Sequence, residues 1–436
     1  NNSGKTQLME LIYAVIKRLS TLAPEISAPW IGGIDAFHIG QREIEYLNDW
    51  VNEYLASNAE EIIDETFNSS IPIEEVTLEF RQIDASYDIF FLNDGTIEYL
   101  LKENLIAQET LKEVILNKES FYRAFVLKTG GNGSKWSDIK VSFSNGFPMD
   151  FAKSIVIGYV LGEIMGVEPS ASSNLLFLPA SRMGLMLLYK HYFANAVQDT
   201  DEMIRDKNRN SKGITEPVLD FLSFLLKYSY TERVAKKNEE LIKFIFANLI
   251  DGTISEKGDA TVYTPRDQEK EIPIFVASSM VNEVVPVITS LTDSDNLNFI
   301  FYDEVETSMH PLKQIEMVKL LNRLNNKGFK LVVSTHSDTM ATKINNLLLL
   351  SHGDLDFETT RKALEKNGIQ IEKEDLLISP NIHVYQFVNG ANGKSVVEEL
   401  EFRKTPCTGY DFRLFNDSTM NLFDEAKIAM GIDDEN

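Results

Sequence analysis

The chain has 436 residues and a formal net charge of −24, from 42 Lys and Arg against 66 Asp and Glu. That length predicts two or three structural units with a large core. The acidity argues against wrapping nucleic acid over most of the surface, because phosphate contacts need Lys and Arg, though it leaves a local basic groove open.

A single cysteine, Cys407, excludes an internal disulfide framework and a Cys-based metal site, and it fits a reducing cytoplasm. No apolar run reaches the roughly 18 residues that span a bilayer, so no membrane association is expected. Nothing reads as a signal peptide. Position 1 is Asn and the chain opens inside what reads as a phosphate loop, so upstream residues are expected in the natural protein.

Residues 1–20 read as a loop followed by a helix, with Leu8, Leu11, Ile12, Val15, Ile16 and Leu19 at helical spacing. A second amphipathic helix is predicted over 44–67. Alternation at Val76, Leu78 and Phe80, then Ile89 to Phe91, with the turn signal Asn93-Asp94-Gly95, predicts an antiparallel hairpin. A helix is expected over 96–118, then strands at 121–128 and 139–143 around the loop Gly130-Gly131-Asn132-Gly133. Phe151 to Val167 reads as a buried helix, Leu175 to Pro179 as a short buried strand, and 184–197 as a helix. A charged, solvated stretch follows over 199–213, then helix over 218–250, a strand at 272–276 and a helix from Ser279. The last third alternates strand 298–302, helix 311–325, strand 330–334, helix 339–345 and strand 347–350, the signature of a parallel α/β sheet. A hairpin (382–387 with 395–400) and an amphipathic helix (420–430) close the chain.

Four segments carry chemistry. Asn1-Asn2-Ser3-Gly4-Lys5-Thr6 matches the second half of G-x-x-x-x-G-K-[ST]. Backbone N–H groups of such a loop and helix start bind phosphate oxygens. Gly4 lets the loop curl, Lys5 neutralises β/γ-phosphate charge and Thr6 holds Mg²⁺. The tripeptide alone also occurs in surface loops; the apolar helix after it favours the phosphate loop. Phe299-Ile300-Phe301-Tyr302-Asp303-Glu304 is an apolar strand that delivers two carboxylates at its C-terminal end, where ligands bind in parallel sheets. Asp303 suits a metal's water shell, and Glu304 suits activation of the attacking water. A strand ending in a solvated acidic turn reads the same way. Leu331-Val332-Val333-Ser334-Thr335-His336 ends a second buried strand in a histidine fit to donate to a γ-phosphate, or simply to cap a loop. Ser278 and Ser279 open an apolar helix and serve equally as phosphate ligands and as N-caps.

In this order the four segments resemble ABC-type ATPases. The phrase Asp303-Glu304-Val305-Glu306-Thr307-Ser308-Met309-His310-Pro311 is similar to the "DEPE-x-x-LHP" region of one branch, which holds the OLD-family ATPases and related ATPases of antiphage systems such as PARIS and Septu. The opening Asn-Asn-Ser-Gly-Lys-Thr and Leu178-Pro179-Ala180-Ser181-Arg182 resemble the same branch. The resemblance implies an α/β ABC-type ATPase head with a mostly parallel sheet and a P-loop, interrupted by a large α+β and helical insertion. The expected domains are 1–34 (P-loop and first helix), 35–170 (insertion), 171–270 (ATPase lobe with helical arm) and 271–436 (the rest of the head).

The resemblance also implies ATP and Mg²⁺ as ligands. Asn2, Ser3, Gly4, Lys5, Thr6 and Gln7 would contact the nucleotide, and Thr6 and Asp303 the metal. Lys5, Glu304 and His336 would be catalytic, with Ser278 and Ser279 completing the site of a second subunit in an ATP sandwich. Gln41 is the candidate for the glutamine loop. Val305 stands where proline is usual, and Met280 where glycine follows the signature serines, a departure that predicts inefficient closure of the sandwich and slow hydrolysis. About 300 residues separate the phosphate loop from the acidic strand, without a long heptad run, so the insertion is expected to be a compact lid or a short helical arm.

OLD proteins add a nuclease domain after the ATPase. Here the 100 residues 337–436 are short for one, and their acidic cluster Asp354, Asp356 and Glu358 reads as a solvated loop. The first expectation is therefore an ATPase subunit of an antiphage complex, a homodimer or higher oligomer that holds a separate effector nuclease or toxin. A RecF-like or SMC-like DNA repair ATPase is the second, with Arg205 to Arg209 and Lys236-Lys237 as its only basic candidates, so a nucleic-acid partner stays open. An ATP-gated scaffold with little hydrolysis is the third.

Overall fold

The computed structural model describes residues 4–24, 31, 34–71, 73, 75–80, 85–103, 105, 121–130, 133–142, 149–167, 175–186, 214–257, 260–294, 297–352, 356–377, 382–389, 395–404 and 407–430. The chain forms two units: one of Glu10–Leu175 with Ser211–Glu216, the other of Asn1–Met9, Leu176–Asn210 and Pro217–Asn436.

The first unit is α+β. After α1 (Lys5–Leu19), whose residues up to Met9 belong to the second unit, an antiparallel sheet runs in the order β1 (Ala36–Ile39), β2 (Ser86–Phe91), β3 (Phe121–Gly130), β4 (Gly133–Ser142), with α2 (Gln41–Phe67), α3 (Asp94–Lys102) and α4 (Met149–Met165) around it. Period-two alternation decides its faces. Phe37, Ile39, Tyr87, Ile89, Phe91, Ala124 and Val126 point one way, onto Ile44 and Leu47 of α2 and Ala152, Val156 and Val160 of α4. Ala36 and Phe90 point the other way, onto Leu100 of α3. The predicted buried helix is α4, and its Gly158 has a packing reason. A Cβ there would meet the Leu22 carbonyl oxygen at 2.4 Å.

Two expectations fail here. Val76 to Phe80 is not a strand. The segment lies extended along α2, where the amide of Asn52 exchanges two hydrogen bonds with the backbone of Leu78, and Asn48 Oδ1 accepts from Phe80 N at 2.9 Å. Val76, Leu78 and Phe80 pack onto the core of Val15, Leu19, Val51 and Leu55. The alternation is therefore that of a half-buried extended segment, with asparagine side chains replacing a partner strand. Asn93-Asp94-Gly95 makes no hairpin either. Asn93 is the N-cap of α3 and accepts from Thr96 N, the other use of an Asn before an apolar helix. Of the helix expected over 96–118, α3 covers the first part; residues 106–118 lie outside the described residues, as do 131–132 of the glycine loop.

The second unit is an α/β head. Its elements are β5 (Leu175–Leu178), α5 (Glu216–Lys227), α6 (Glu232–Lys237), α7 (Glu239–Phe244), β6 (Gly252–Lys257), β7 (Ala260–Pro265), β8 (Ile272–Pro273), α8 (Ser279–Asp293), β9 (Phe299–Tyr302), α9 (Pro311–Asn326), β10 (Lys330–Val333), α10 (Asp338–His352), α11 (Phe357–Lys366), β11 (Val384–Asn389), β12 (Ser395–Leu400) and, last, α12 (Arg413–Ala429). The central sheet runs β10-β9-β5, with β9 and β10 parallel and α9 as their crossover. All four residues of β5 and of β9 are buried, as strands covered on both faces require. His310 caps α9 and Pro311 starts it, a position where a missing N–H costs nothing.

The helix expected over 218–250 is broken into α5, α6, α7 and a π turn at Ile245–Leu249, and the hairpin β6–β7 that follows was not anticipated. The strand expected at 272–276 shortens to β8 and one 3-10 turn. Leu347 to Leu350 is not a strand but the end of α10. Met340, Ile344, Leu347 and Leu348 recur at helical spacing and face the core or its edge, which overrides the leucine run. Asp356 is a helix cap rather than a loop residue: its Oδ2 accepts from Thr359 N at 2.8 Å, and Glu358 sits in the first turn of α11. Asp354 and residues 187–213, including the Arg205 to Arg209 cluster, lie outside the described residues. Among the described residues no helix is long and apolar enough to cross a membrane.

Candidate functional site

The site forms where α1 begins and β9 and β10 end. Gly4 takes φ +74°, a left-handed conformation that glycine adopts without a Cβ penalty, and its carbonyl accepts from Leu8 N to start α1. The first-turn N–H groups of a helix have no partner within it, so the backbone from Lys5 onward is suited to an anion. Asn2 and Ser3 lie outside the described residues, and Gln7 is exposed.

The apolar strand β9 carries Asp303 to its tip. Its backbone N–H donates to Leu178 O of β5, and its side chain is 1% exposed. Both carboxylate oxygens are engaged: Thr6 Oγ1 donates to Oδ2 at 2.8 Å and Ser334 Oγ to Oδ1 at 2.5 Å. Ser334 also accepts from Glu304 N at 2.8 Å. One serine at the end of β10 thus fixes both members of the acidic pair. Glu304 has φ +42°, uncommon for a residue with a side chain, and its carbonyl accepts from Thr307 N and Oγ1.

His336 stands between the basic and acidic parts. Lys5 Nζ lies 3.1 Å from its Nδ1, and Glu304 Oε1 lies 3.9 Å from its Nε2. With Lys5 as an ammonium, Nδ1 accepts and the ring proton sits on Nε2, facing Glu304. The His336 backbone N–H donates to Glu306 Oε1 at 2.5 Å. The other oxygen, Oε2, is buried with no hydrogen-bond partner among the described residues. Burial lowers the Lys5 pKa, opposed by the nearby carboxylates of Glu306, Glu304 and Asp303. Three carboxylates therefore face one ammonium and one threonine hydroxyl, an excess of negative charge that suits a bound cation.

The predicted Lys5, Thr6, Asp303, Glu304 and His336 come together. Ser278 and Ser279 make no direct contact with them among the described residues. Both are exposed, and Ser278 caps α8 by accepting from Val281 N at 3.4 Å. Gln41 opens α2 in the other unit. Three further residues bond directly to the cluster without having been predicted in it: Ser334, Glu306 and Arg182. Ser334 and Glu306 had a signal only in their neighbours, the histidine strand and the acidic phrase. Arg182 is fully buried, with Nη1 donating to Asp303 O at 2.7 Å.

The AAA ATPase domain profile matches residues 1–341, most of the chain. The chain belongs to the AAA ATPase domain family. A stretch of 80 residues is 32% identical to an energy-coupling factor transporter ATP-binding protein, EcfA, of Carboxydothermus hydrogenoformans. That match takes in 17% of this chain and 30% of the relative, so the chain spans under a third of the curated relative's length. Similar solved structures include an Smc head bound to the C-terminal winged-helix domain of ScpA (10% identity, 93% of this chain and 89% of that one, TM-score 0.33). Another is the SMC head domain from Thermotoga maritima (13% identity, 79% and 87%, TM-score 0.27). The family implies ATP as the ligand of this AAA ATPase domain protein.

Proposed function

We propose that the chain hydrolyses ATP at the Lys5–Thr6–Asp303–Glu304–His336 cluster as the ATPase subunit of an antiphage defence complex. The Thr6–Asp303 hydrogen bond, with Glu304 and His336 beside it, carries the assignment. A magnesium ion, held by Thr6 and Asp303, would supply charge neutralisation for the phosphates. Backbone N–H groups at Gly4 to Gln7 and the Lys5 ammonium hold and orient the nucleotide. Glu304 takes the proton from the attacking water, and His336 donates from Nε2 toward the terminal phosphate. Ser278 and Ser279, exposed at a helix start, serve the nucleotide of a second copy. Met280 in place of glycine makes closure of that sandwich inefficient and hydrolysis slow.

The defence role rests on the resemblance of residues 303–311 and of the opening loop to that ATPase branch, and the charge of −24 favours a protein effector over a DNA clamp. The deciding experiment is native mass analysis of Glu304→Gln, purified with Mg-ATP from its own cells. A second polypeptide in fixed ratio, whose isolated nuclease or toxin activity the ATP-bound chain restrains, supports the proposal. A dimer with DNA, and wild-type hydrolysis stimulated by DNA, replaces it with the repair ATPase. Wild-type hydrolysis no faster than that of Glu304→Gln leaves an ATP-gated scaffold.

A further inference from the structure

Arg182 is the largest fully buried side chain in the described structure, and none of the roles above uses it. Its guanidinium has five N–H donors in a fixed plane, and they reach three carbonyls. Nη1 donates to Pro179 O at 2.8 Å and to Asp303 O at 2.7 Å, and Nη2 to Glu304 O at 3.4 Å. Its Nε lies 2.8 Å from Glu283 Oε2, an ion pair held by charge and proximity rather than by an aligned hydrogen bond, both side chains being almost wholly buried. The guanidinium carbon lies over the Tyr302 ring, 4.6 Å from its centroid. Glu283 lies in α8, the helix that Ser278 caps and Ser279 begins. Burial raises its carboxyl pKa, opposed by Arg182 and the backbone N–H of Met183.

Resting on the assignment of Glu304 as general base, we infer that Arg182 is a positioning residue that aims the Glu304 carboxylate and ties it, through Glu283, to the helix of the signature serines. The direction of a carbonyl and of the Cα–Cβ bond are set by the same backbone dihedrals. A guanidinium that holds the Asp303 and Glu304 carbonyls, while Ser334 holds the Glu304 N–H, therefore fixes where the side chain leaves the chain. Glu304 needs such a clamp, because its left-handed backbone persists only when its surroundings over-determine it. The ion pair carries the same constraint into α8. A shift of α8 moves Glu283, and with it the plane that holds Glu304. The carboxylate that activates water is thereby coupled to the helix start that meets a second copy. A misplacement of about 1 Å at such a site costs about 10²-fold in rate.

The test uses Glu283→Gln, which keeps shape and removes charge, and Arg182→Lys, which keeps charge and loses the planar fork. ATP affinity, kcat and melting temperature are measured for wild type, both variants and the double variant. Positioning predicts kcat lower by about 10- to 100-fold with the Kd for ATP within about 3-fold of wild type. The two losses should also be non-additive, because both variants break one link. A merely structural role predicts lower melting temperature with kcat unchanged, or kcat and affinity falling together, and either result overturns the inference. If one variant fails to fold, the other gives the same split. Glu304→Gln separates the two levels. If it hydrolyses as wild type, the general-base assignment falls. If it loses hydrolysis while Glu283→Gln and Arg182→Lys keep theirs, only the role of Arg182 falls.

Discussion

The Thr6 hydroxyl and the Asp303 carboxylate, 297 positions apart in the chain, meet in a 2.8 Å hydrogen bond. It joins the first turn of α1 to the tip of β9, and the proposed magnesium site lies between the same two side chains. Hydrogen bonds to charged groups contribute about 1.5–3 kcal/mol, which corresponds to roughly 10- to 100-fold in an affinity. Thr6→Ala should weaken ATP binding by that order in the presence of Mg²⁺ and by much less in EDTA, whereas Thr6→Ser should bind as wild type. Titration calorimetry in both buffers checks this. Equal losses in both would remove Thr6 from the metal site.

Lys5 sets a pH dependence whose sign follows from its environment. Burial lowers its pKa, with the opposing pull of Glu306, Glu304 and Asp303 not enough to restore the ordinary value. The ammonium is the form that attracts phosphate, and a lowered pKa means that it is lost at a lower pH than for a free lysine. The affinity for ATP should therefore hold near neutrality and fall as pH rises toward the ordinary lysine range, starting below it. Fluorescent-nucleotide binding across pH 7 to 10 reads the effect. An affinity that stays flat over the whole range would show that the Lys5 charge does not matter for binding.

Ser278 separates capping from a role across two copies. Its contact to Val281 N is long, 3.4 Å, and the residue is exposed, so Ser278→Ala should cost stability near the lower end of the capping range, about 0.5 kcal/mol. If the serine also serves a second copy's nucleotide, ATP-dependent self-association of Ser278→Ala in the Glu304→Gln background should weaken at least tenfold. Sedimentation with and without ATP, beside a thermal melt, decides. A small stability loss with self-association intact would leave Ser278 as a cap alone.

Gly158 offers a test on the other unit. In most helices Gly→Ala gains up to about 1 kcal/mol of helix propensity. Here the new methyl would sit 2.4 Å from the Leu22 carbonyl oxygen, backbone that cannot rotate away. Overpacking of that kind costs about 1–3 kcal/mol, so steric cost wins and Gly158→Ala should be destabilising. Urea unfolding of the variant gives the sign; a stabilised variant would mean that α4 and the Leu22 segment separate readily.

The sequence by itself determined which residues meet at the candidate site and the elements that deliver them. Lys5, Thr6, Asp303, Glu304 and His336 were legible because each stands beside an element whose apolar pattern is strong: a helical stripe after Thr6, a fully buried strand before Asp303 and an apolar, partly buried strand before His336. Only the tertiary structure decided what binds those residues together. Ser334 lies 31 positions from Asp303, and Arg182 lies 121 positions from it, and neither has a local pattern that announces its partner. The same limit explains the misread segments. Val76 to Phe80 alternates like a strand because one side of it is buried, but Asn48 and Asn52 of α2 take its hydrogen bonds. Periodicity reports which side of a segment is buried; which groups satisfy its backbone and orient its side chains depends on residues distant in sequence that only folding brings within 3 Å or so.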